Sequence, residues 1–241
     1  MELLTLSIIV TLFVCIFTFE VIAPASKNSC DRRWMILSSS ISLFQSVTTI
    51  AAGLIFVGTF RGISFFEFHN LHFIEQGVIG FIFTSFVAYW WHRAMHKYDF
   101  LWRTFHQLHH SPRRIEALTS FFMHPFDGIA ATLLNAICCY LILGLDAIGT
   151  GISLIFAALY NMFIHADLKT PYWLGYVLQR PEMHRVHHKY LHHAQNYGLA
   201  FWDLLFGTFS NPKEYIQKVG FDENREVRIY DMLKTKDVYK G

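Results

Sequence analysis

Eight histidines fall into three short groups whose residue type and spacing suit metal binding. They are His92 and His96, then His106, His109 and His110 in an HxxHH pattern, and finally His184, His187 and His188 in the same pattern. On a helix, residues at i, i+3 and i+4 share a face, so each group can aim two or three imidazoles at one place. Neutral imidazole is the commonest protein ligand for a transition metal, and eight are more than one ion needs. The spacing therefore predicts a two-metal site.

Four further histidines are weaker candidates. His165 follows an apolar run at the level where the three groups should lie, so we expect it to be a ninth ligand. His124 can either cap a helix or line the site, and the sequence does not choose between these roles. His192 and His193 follow the last group closely, and they are either solvated or adjacent to the ligands.

Three carboxylates are candidates to accept a hydrogen bond from the outer N–H of a metal-bound imidazole. They are Asp167, Asp203 and Glu182. Such partners orient histidine ligands and fix their tautomer. An ordinary surface or helix-capping role is an equally good interpretation of each residue.

The composition indicates a membrane protein. Of the 241 residues, 53% are apolar and 17% are aromatic, while only 16% are charged, and the mean hydropathy is +0.31. This balance is typical of integral membrane proteins rather than soluble ones. The four cysteines form no CxxC pair, so a disulfide framework is not expected. A net charge of +2 gives no reason to expect a nucleic-acid partner.

Five uncharged apolar runs predict an all-α polytopic fold with about five transmembrane or membrane-embedded helices and a histidine-rich helical cap. The runs cover residues 3–19, 35–60, 77–91, 128–145 and 147–164. About 20 apolar residues cross a bilayer, so the third run is short for a crossing. A signal peptide is the competing interpretation of the first run, but no basic side chain precedes it, and we expect it to be retained. The aromatic and polar segment 61–76 is typical of a membrane interface.

The distribution of basic residues predicts how these helices are oriented. When the basic hinge at residues 26–34 is placed in the cytosol, 19 of the 20 Lys and Arg residues lie inside, and Arg61 is the exception. This layout agrees with the positive-inside rule. It also puts every histidine except His69 and His72 on the cytosolic side. We therefore predict a multi-pass membrane protein with a cytosolic active site.

The chemistry suggested by these histidines differs from that of common metallohydrolases. The sequence contains neither HExxH, typical of zinc proteases, nor an ExxH pair, typical of soluble di-iron bundles. Imidazole-rich sites suit Fe, Cu, Zn or Ni, and composition alone does not choose among them. A redox metal at the membrane surface can reach a lipid that stays partly in the bilayer. This placement favours oxidation of an unactivated C–H bond.

Six motifs resemble, in order and spacing, those of the fatty acid hydroxylase and sterol desaturase superfamily. They are HRAMH, LWRTFHQLHHSP, FFMHP, FIHAD, PEMHRVHH and NYGLAFWDLLFGTF, within residues 89–212. Their form is most similar to bacterial sterol desaturase-like members and to alkylglycerol monooxygenases. The resemblance implies an integral-membrane, non-haem di-iron oxygenase that uses O2 and external electrons. It also implies N-terminal transmembrane helices and an interfacial segment at 1–76, a catalytic domain at 77–212 and a charged tail at 213–241.

The resemblance further implies which residues bind the two iron ions. The nine implied ligands are His92, His96, His106, His109, His110, His165, His184, His187 and His188. Asn161 stands where some members have another histidine, and Ser85 stands where an acidic residue often precedes the first group. Neither departure removes a whole group, so the assignment is kept. The trailing signature, implied to be structural or adjacent to the ligands, includes Asn196, Tyr197, Gly198 and Asp203.

The implied activity is hydroxylation or desaturation of a lipid C–H bond, with cleavage of an ether lipid as an alternative. The chain has no CxxCH haem site, no GxGxxG motif and no ferredoxin-like cysteine set, so we expect a separate protein to donate electrons. Nothing in the sequence distinguishes a fatty acyl chain from a sterol. A membrane protein that only binds or transports metal ions is the alternative from another class. Transport requires polar ligands near the middle of the bilayer, whereas these histidines lie beyond the ends of the apolar runs.

Overall fold

The computed structural model describes residues 2–26, 32–60, 62–190, 192 and 194–239, and within them the chain is all-helical. Strand pairing in this part is limited to an isolated bridge between Lys189 and Val219. The α-helices are α1 (Glu2–Ile22), α2 (Arg32–Phe60), α3 (Phe73–Lys97), α4 (Asp99–Leu101), α5 (Pro125–Ala136), α6 (Ala147–His165), α7 (Pro181–His187), α8 (Ala200–Leu205), α9 (Glu223–Glu226) and α10 (Ile229–Leu233). Short 3-10 helices cover Phe68–Asn70, Ala117–Phe121 and Tyr172–Tyr176, and π-helical segments cover Trp102–His106 and Ile137–Ile142.

Five helices are long and apolar enough to cross a membrane, as the apolar runs predict. They are α1, α2, α3, α5 with the π-helical segment that follows it, and α6. A helix rises 1.5 Å per residue, so about 20 residues cross the hydrocarbon core of a bilayer. The prediction of an all-α polytopic membrane fold is confirmed. Lys27 of the basic hinge and Arg61 lie outside the described residues.

Helix α3 is longer than the apolar run 77–91 predicts, and this difference places the first histidine pair. The helix begins after a capping box in which His72 and Glu75 satisfy free amide groups at its N-terminus. It then continues for 25 residues to Lys97, about 37 Å at the usual rise. His92 and His96 therefore lie on the last turns of the spanning helix itself.

Helices α3 and α6 run parallel, because their N-terminal ends are joined. The Gln76 side chain donates to Asp146 Oδ2 at 3.0 Å and accepts from the Asp146 amide at 2.9 Å. A Cβ atom at Gly77 would lie 2.3 Å from Ile152 Cγ2, so glycine permits the close approach of the two helices. The C-terminal ends of both helices carry histidines, and parallel packing brings those ends together.

Helix α5 begins earlier than the predicted run 128–145. His124 caps it by accepting from the Phe126 amide at 3.1 Å, and Pro125 occupies its first turn. The chain then passes through the π-helical segment and turns at Gly144, whose φ of +63° suits glycine. Asp146, four residues after the end of the π-helical segment at Ile142, caps α6. A short turn therefore joins α5 to α6, but α5 packs mainly against α2 while α6 packs against α3 and α1. The first of these two helices starts beside the histidine groups.

The segment after residue 212, predicted to be a charged tail, folds back over the histidine-bearing end of the bundle. Phe221, Met232 and Val238 are buried in one apolar cluster with Trp102 and Phe122. Its many charged residues hide these apolar positions in the sequence. The described part of the segment, 213–239, therefore contributes to the core that covers the histidine-bearing end of the bundle.

Candidate metal centre

Nine buried or half-buried histidines converge in two adjacent groups, each able to hold a metal ion. Group A comprises His92, His96, His106, His110 and His187. Group B comprises His109, His165, His184 and His188. Within each group, one nitrogen from every ring lies within 4.8 Å of one from each of the others. These are the nine residues that the sequence predicts as ligands, and the structure brings all of them together.

Each HxxHH motif is divided between the two groups. In the first motif, His106 and His110 enter group A, and His109 enters group B. In the second motif the assignment is exchanged, because His184 and His188 enter group B while His187 enters group A. Residues four apart share a helical face, and a neighbour one position away points in another direction. The sequence analysis expected each motif to aim at one place, and the structure divides each motif between two.

The elements that carry the histidines explain this division. His92 and His96 lie on the last turns of α3, and His165 is the last residue of α6. The first HxxHH begins at the end of the π-helical segment Trp102–His106 and continues as a turn. The second lies on α7 and its C-cap. Two spans and two short cap elements therefore face one another across the site.

Imidazole nitrogens approach one another closely in both groups. In group A, His106 Nε2 lies 2.9 Å from His92 Nε2. In group B, His165 Nε2 lies 3.1 Å from His109 Nε2 and 2.9 Å from His184 Nε2. Metal–imidazole bonds of about 2.0–2.1 Å place neighbouring ligand nitrogens about 3 Å apart. The spacing therefore fits donors that surround an ion.

The hydrogen-bond partners of the outer ring nitrogens determine which nitrogen of each imidazole carries the proton. In group A, His92 Nδ1 lies 2.7 Å from the carbonyl oxygen of Tyr197. In group B, His165 Nδ1 lies 2.7 Å from the carbonyl oxygen of Asn161, and His109 Nδ1 lies 3.3 Å from that of Phe122. A carbonyl oxygen only accepts, so each Nδ1 carries the proton and each Nε2 presents a lone pair to the centre.

Asp127 is the carboxylate that contacts a clustered histidine, and the sequence analysis did not single it out. Its Oδ2 lies 3.2 Å from His106 Nδ1, and the residue is 7% exposed. The contact gives His106 the same Nδ1–H tautomer as His92 and places a carboxylate oxygen beside group A. The signal available in the sequence was the position of Asp127 in the FFMHPFDG stretch, where His124 and Pro125 begin α5.

With these tautomers, two pairs of Nε2 atoms face each other at close range, each atom with an unshared electron pair. His92 and His106 face each other in group A, and His109 and His165 do so in group B, with all four Nδ1 protons directed outward. Two lone pairs about 3 Å apart repel unless a cation lies between them. In addition, the buried His187 Nε2 and His188 Nδ1 have no hydrogen-bond partner among the described residues. The residues present therefore fit a metal ion in each group.

Burial also keeps these imidazoles neutral. Desolvation is the largest cause, followed at most positions by repulsion between neighbouring rings. Together they lower the pKa well below its usual value at His106, His109, His110, His184, His187 and His188. Neutral imidazole is the form that binds a metal, so the site is prepared for an ion at neutral pH.

The weaker candidates lie outside both groups. His124 caps α5, and its Nε2 lies 3.2 Å from the Leu233 carbonyl oxygen, so the capping alternative describes it. The Asn161 side chain donates to the Ser120 carbonyl oxygen at 3.1 Å, while its own carbonyl orients His165. His192 is exposed and contacts Gln195 Oε1 at 3.1 Å. His193 lies outside the described residues.

The three predicted carboxylate partners accept hydrogen bonds from groups other than imidazole. Asp167 accepts from Ser26 and Tyr215, and Glu182 accepts from Thr170. Both residues are buried, and their carboxylates close loops around the site instead of orienting a clustered histidine.

Asp203 affects His92 indirectly, through the backbone of the loop that contains Tyr197. Its carboxylate accepts from the amides of Tyr197 and Gly198 at 2.8 and 3.2 Å. It also accepts from the Thr208 hydroxyl at 2.7 Å. These bonds hold the loop whose Tyr197 carbonyl orients His92. The signature residues thus position a clustered histidine through the backbone.

His69 and His72, which the sequence places on the other side of the membrane, lie at the opposite end of α3 from His92. His72 caps the N-terminus of this helix, 20 positions before His92, and His69 lies in the 3-10 helix just before it. At the usual helical rise they are about 30 Å from the metal groups. Ser85, which replaces an acidic residue of the family pattern, accepts from Trp202 Nε1 at 3.0 Å. Its hydroxyl therefore packs against α8.

Similar proteins include several lipid oxidoreductases. The chain is 34% identical over 148 residues to ornithine lipid hydroxylase OlsE of Rhizobium tropici, covering 57% of this chain and 42% of that protein. It is 26% identical over 149 residues to Delta(7)-sterol 5(6)-desaturase erg3B of Aspergillus fumigatus, covering 61% and 41%. It is 27% identical over 161 residues to alkylglycerol monooxygenase of Homo sapiens, covering 65% and 35%. The chain thus spans less than half the length of these three relatives.

The family model agrees with the site. None of the solved structures is significantly similar to this chain. The fatty acid hydroxylase model matches residues 77–208, which is more than half of the 241 residues and includes all nine clustered histidines. The chain therefore belongs to the fatty acid hydroxylase family.

Proposed function

We propose that this protein is a membrane oxygenase that uses O2 and two iron ions to hydroxylate a C–H bond of a lipid. One observation carries the proposal: the unprotonated Nε2 atoms of His92 and His106 face each other, and so do those of His109 and His165. One cation is needed between the members of each pair, which gives two ions at adjacent positions. Hydroxylation is preferred to desaturation and to ether cleavage because the 34%-identical relative is a hydroxylase.

The residues of groups A and B would hold the two ions. When bound, such a pair of redox metals supplies the oxidising power that side chains lack, because it can take up electrons and activate O2. The chain contributes ligands that are neutral, oriented by outward Nδ1 protons and shielded from bulk water. Asp127 adds one negative charge at the outer edge of group A through His106. That charge raises the basicity of His106 as a ligand.

The position of the site and the names of the relatives support a lipid substrate. The clustered histidines lie at the C-terminal ends of two candidate spans, α3 and α6, where an acyl or ring system in the bilayer can approach them. The names of the similar proteins specify an ornithine lipid, a sterol and an alkylglycerol. All three kinds of molecule have a long apolar part. We therefore propose a lipid with an unactivated C–H bond as the substrate class.

The proposal includes an orientation and a partner. With the basic segments in the cytosol, the two metal groups face the cytosol, where a separate electron-donor protein would reach them. Labelling of single cysteines in intact cells tests the orientation: a cysteine near the C-terminus should be protected from an impermeant reagent, and one replacing Asp146 should react. Labelling of the C-terminus from outside would exclude both the orientation and a cytosolic donor.

The decisive experiment uses the purified protein in liposomes, loaded with iron and supplied with a chemical reductant and 18O2. Extracted membrane lipids from the expressing cells serve as substrate, and mass spectrometry follows them. We expect one 18O atom in a lipid product and two iron ions per chain. The matched control is His192→Ala, which should retain activity, whereas His187→Ala should lose it. Bound iron without any O2-dependent change in lipid would support the metal-binding alternative instead.

A further inference from the structure

Helix α8 presents its apolar face outward, which is unusual for a helix in an extramembrane region. Phe201, Leu204 and Leu205 are 59%, 49% and 59% exposed. They lie at i, i+3 and i+4, so they form one face. Ala200 and Asp203, on the other face, are fully buried. A helix at a water-exposed surface shows the opposite pattern, with polar residues outward and apolar residues inward.

A second element continues this surface. The 3-10 helix Tyr172–Tyr176 contacts α8, and it exposes Trp173 and Tyr176 at 65% and 55%. Val177, directly after it, is 62% exposed. The Tyr176 ring lies 5.8 Å from that of Phe209, which follows α8 in the chain. The two short elements therefore form one aromatic and aliphatic surface, far larger than single exposed apolar residues would produce.

The packing of α8 against α3 fixes its depth. Trp202 on α8 donates to the Ser85 hydroxyl at 3.0 Å, and its ring lies 5.1 Å from that of Phe86. Phe206, which follows α8, lies 4.8 Å from the Trp90 ring. Ser85 precedes His92 by seven residues on a candidate span, which places it about 10 Å closer to the middle of the membrane. Helix α8 therefore lies beside the membrane-embedded turns of α3.

Basic side chains mark the outer edge of the same surface. A cavity of about 500 Å³ opens next to Tyr172, and Lys169 and Lys213 line it. The Lys213 ammonium lies 5.8 Å from the Tyr172 ring. Lysines beside aromatic rings are typical of the level of lipid headgroups, where phosphates are available to them.

From this geometry we propose that α8 and the Tyr172–Val177 segment are embedded in the bilayer interface, with lipid acyl chains covering Phe201, Leu204 and Leu205. The segment that carries the family signature is thus a membrane-contacting element, although it follows the last span in the chain. Its partner is the lipid bilayer, because Trp202 and Phe206 pack against residues 85–90 of the candidate span α3. This inference concerns where the element lies, and it does not depend on the proposed reaction.

The position of α8 also affects access to group A. The chain just before α8 provides the Tyr197 carbonyl that accepts from His92, and Asp203 on α8 binds the Tyr197 amide. His92 and His96 are half-buried, while the other seven clustered histidines are buried. Embedding α8 would therefore place lipid next to the more accessible side of group A. A substrate could reach that side without leaving the membrane.

Site-directed spin labelling in liposomes tests the proposal. The parent for these variants has its four native cysteines replaced, and nitroxides are attached to Phe201→Cys, Leu204→Cys and Val177→Cys. Leu154→Cys, exposed on the candidate span α6, is the lipid reference, and Glu223→Cys, exposed on α9, is the aqueous reference. Power saturation compares relaxation by O2, which concentrates in lipid, with relaxation by water-soluble chromium oxalate.

We expect the ratio of O2 to chromium accessibility at Phe201 and Leu204 to approach that at Leu154 and to exceed that at Glu223 several-fold. Val177 should fall between the two references. A ratio at Phe201 equal to that at Glu223 would overturn the proposal, because the face would be in water. Low accessibility to both reagents would also overturn it, since the face would then be covered by protein. Circular dichroism and gel-filtration profiles equal to those of the cysteine-free parent verify that each labelled variant is folded.

Discussion

Groups A and B have the same kind of donor atom but differ in number, exposure and nearby charge. Group A has five histidines, two of them half-buried, and it receives the Asp127 carboxylate through His106. Group B has four histidines, all buried, and its outward Nδ1 atoms meet backbone carbonyls at His109 and His165. An ion in group A would thus be more open and more electron-rich at its ligands. We infer that the two positions are chemically inequivalent although their ligands come from repeated motifs.

The largest expected effects come from replacing the clustered histidines, singly and in pairs. His187→Ala and His188→Ala should each abolish activity and each remove one ion, because adjacent residues belong to different groups. The double variant His110→Ala/His187→Ala, within group A, should retain one ion. The double variant His187→Ala/His188→Ala, across the groups, should retain none. Metal analysis of the folded proteins checks this, and equal metal content in the two double variants would contradict the division.

Acidification should strongly destabilise the metal-free protein. The six buried histidines outside the spans have folded-state pKa values well below that of the unfolded chain, near 6.5. Above about pH 7 both states are neutral, so these groups leave stability unchanged. As the pH falls below about 6.5, the unfolded state binds protons that the folded state resists, and stability falls by up to ~1.4 kcal/mol per histidine per pH unit.

Thermal unfolding of the metal-free protein in detergent measures this dependence. The His187→Ala/His188→Ala variant, with two fewer buried imidazoles, should give a shallower decline with acid. A melting temperature that stays constant or rises on acidification would show that the clustered histidines are protonated in the folded state, contrary to the neutral site described above.

Asp127→Asn tests whether groups A and B differ, because this carboxylate contacts His106 of group A. The substitution keeps the shape of the side chain and removes its charge. We expect a 10- to 100-fold loss of metal affinity, the range typical for partners of metal-bound histidines, confined to one of the two ions. A two-step metal titration measures it. Asp146→Asn, at the other end of α6, is the matched control, and equal weakening of both ions would contradict the asymmetry.

The smallest effect on chemistry is expected at His124. Its ring caps α5 and contacts the Leu233 carbonyl, so His124→Ala should lower stability by about 1–2 kcal/mol through loss of a cap and a hydrogen bond. Both ions should remain, and activity per folded molecule should stay within a few-fold. His72→Ala, which removes the exposed cap of α3, provides the comparison. Loss of an ion in His124→Ala would return this residue to the ligand set.

Local periodicity accounts for the parts of the fold that could be predicted. The lengths of the apolar runs predicted five spanning helices, and the i, i+3 and i+4 spacing singled out eight of the nine clustered histidines. The ninth, His165, was expected from its position at the end of an apolar run. The boundaries were less accurate where caps determined them, as at His72 and His124. The apolar positions Phe221 and Met232 were overlooked because charged neighbours surround them. These errors have a common cause, since caps and scattered core residues depend on contacts with distant parts of the chain.

The amino-acid sequence by itself determined the type of ligand, its repeated spacing and the membrane character of the helices, because these properties depend on residues within a few turns of one another. Only the tertiary structure decided which histidines lie together in one group. Parallel packing of α3 and α6 brings His92 and His165 to the same end, and the opposing elements then split each HxxHH by direction. The contact of Asp127 with His106, across 21 positions, and that of Trp202 with Ser85, across 117, likewise depend on how helices pack. Such long-range contacts follow from packing of whole elements, which local spacing does not encode.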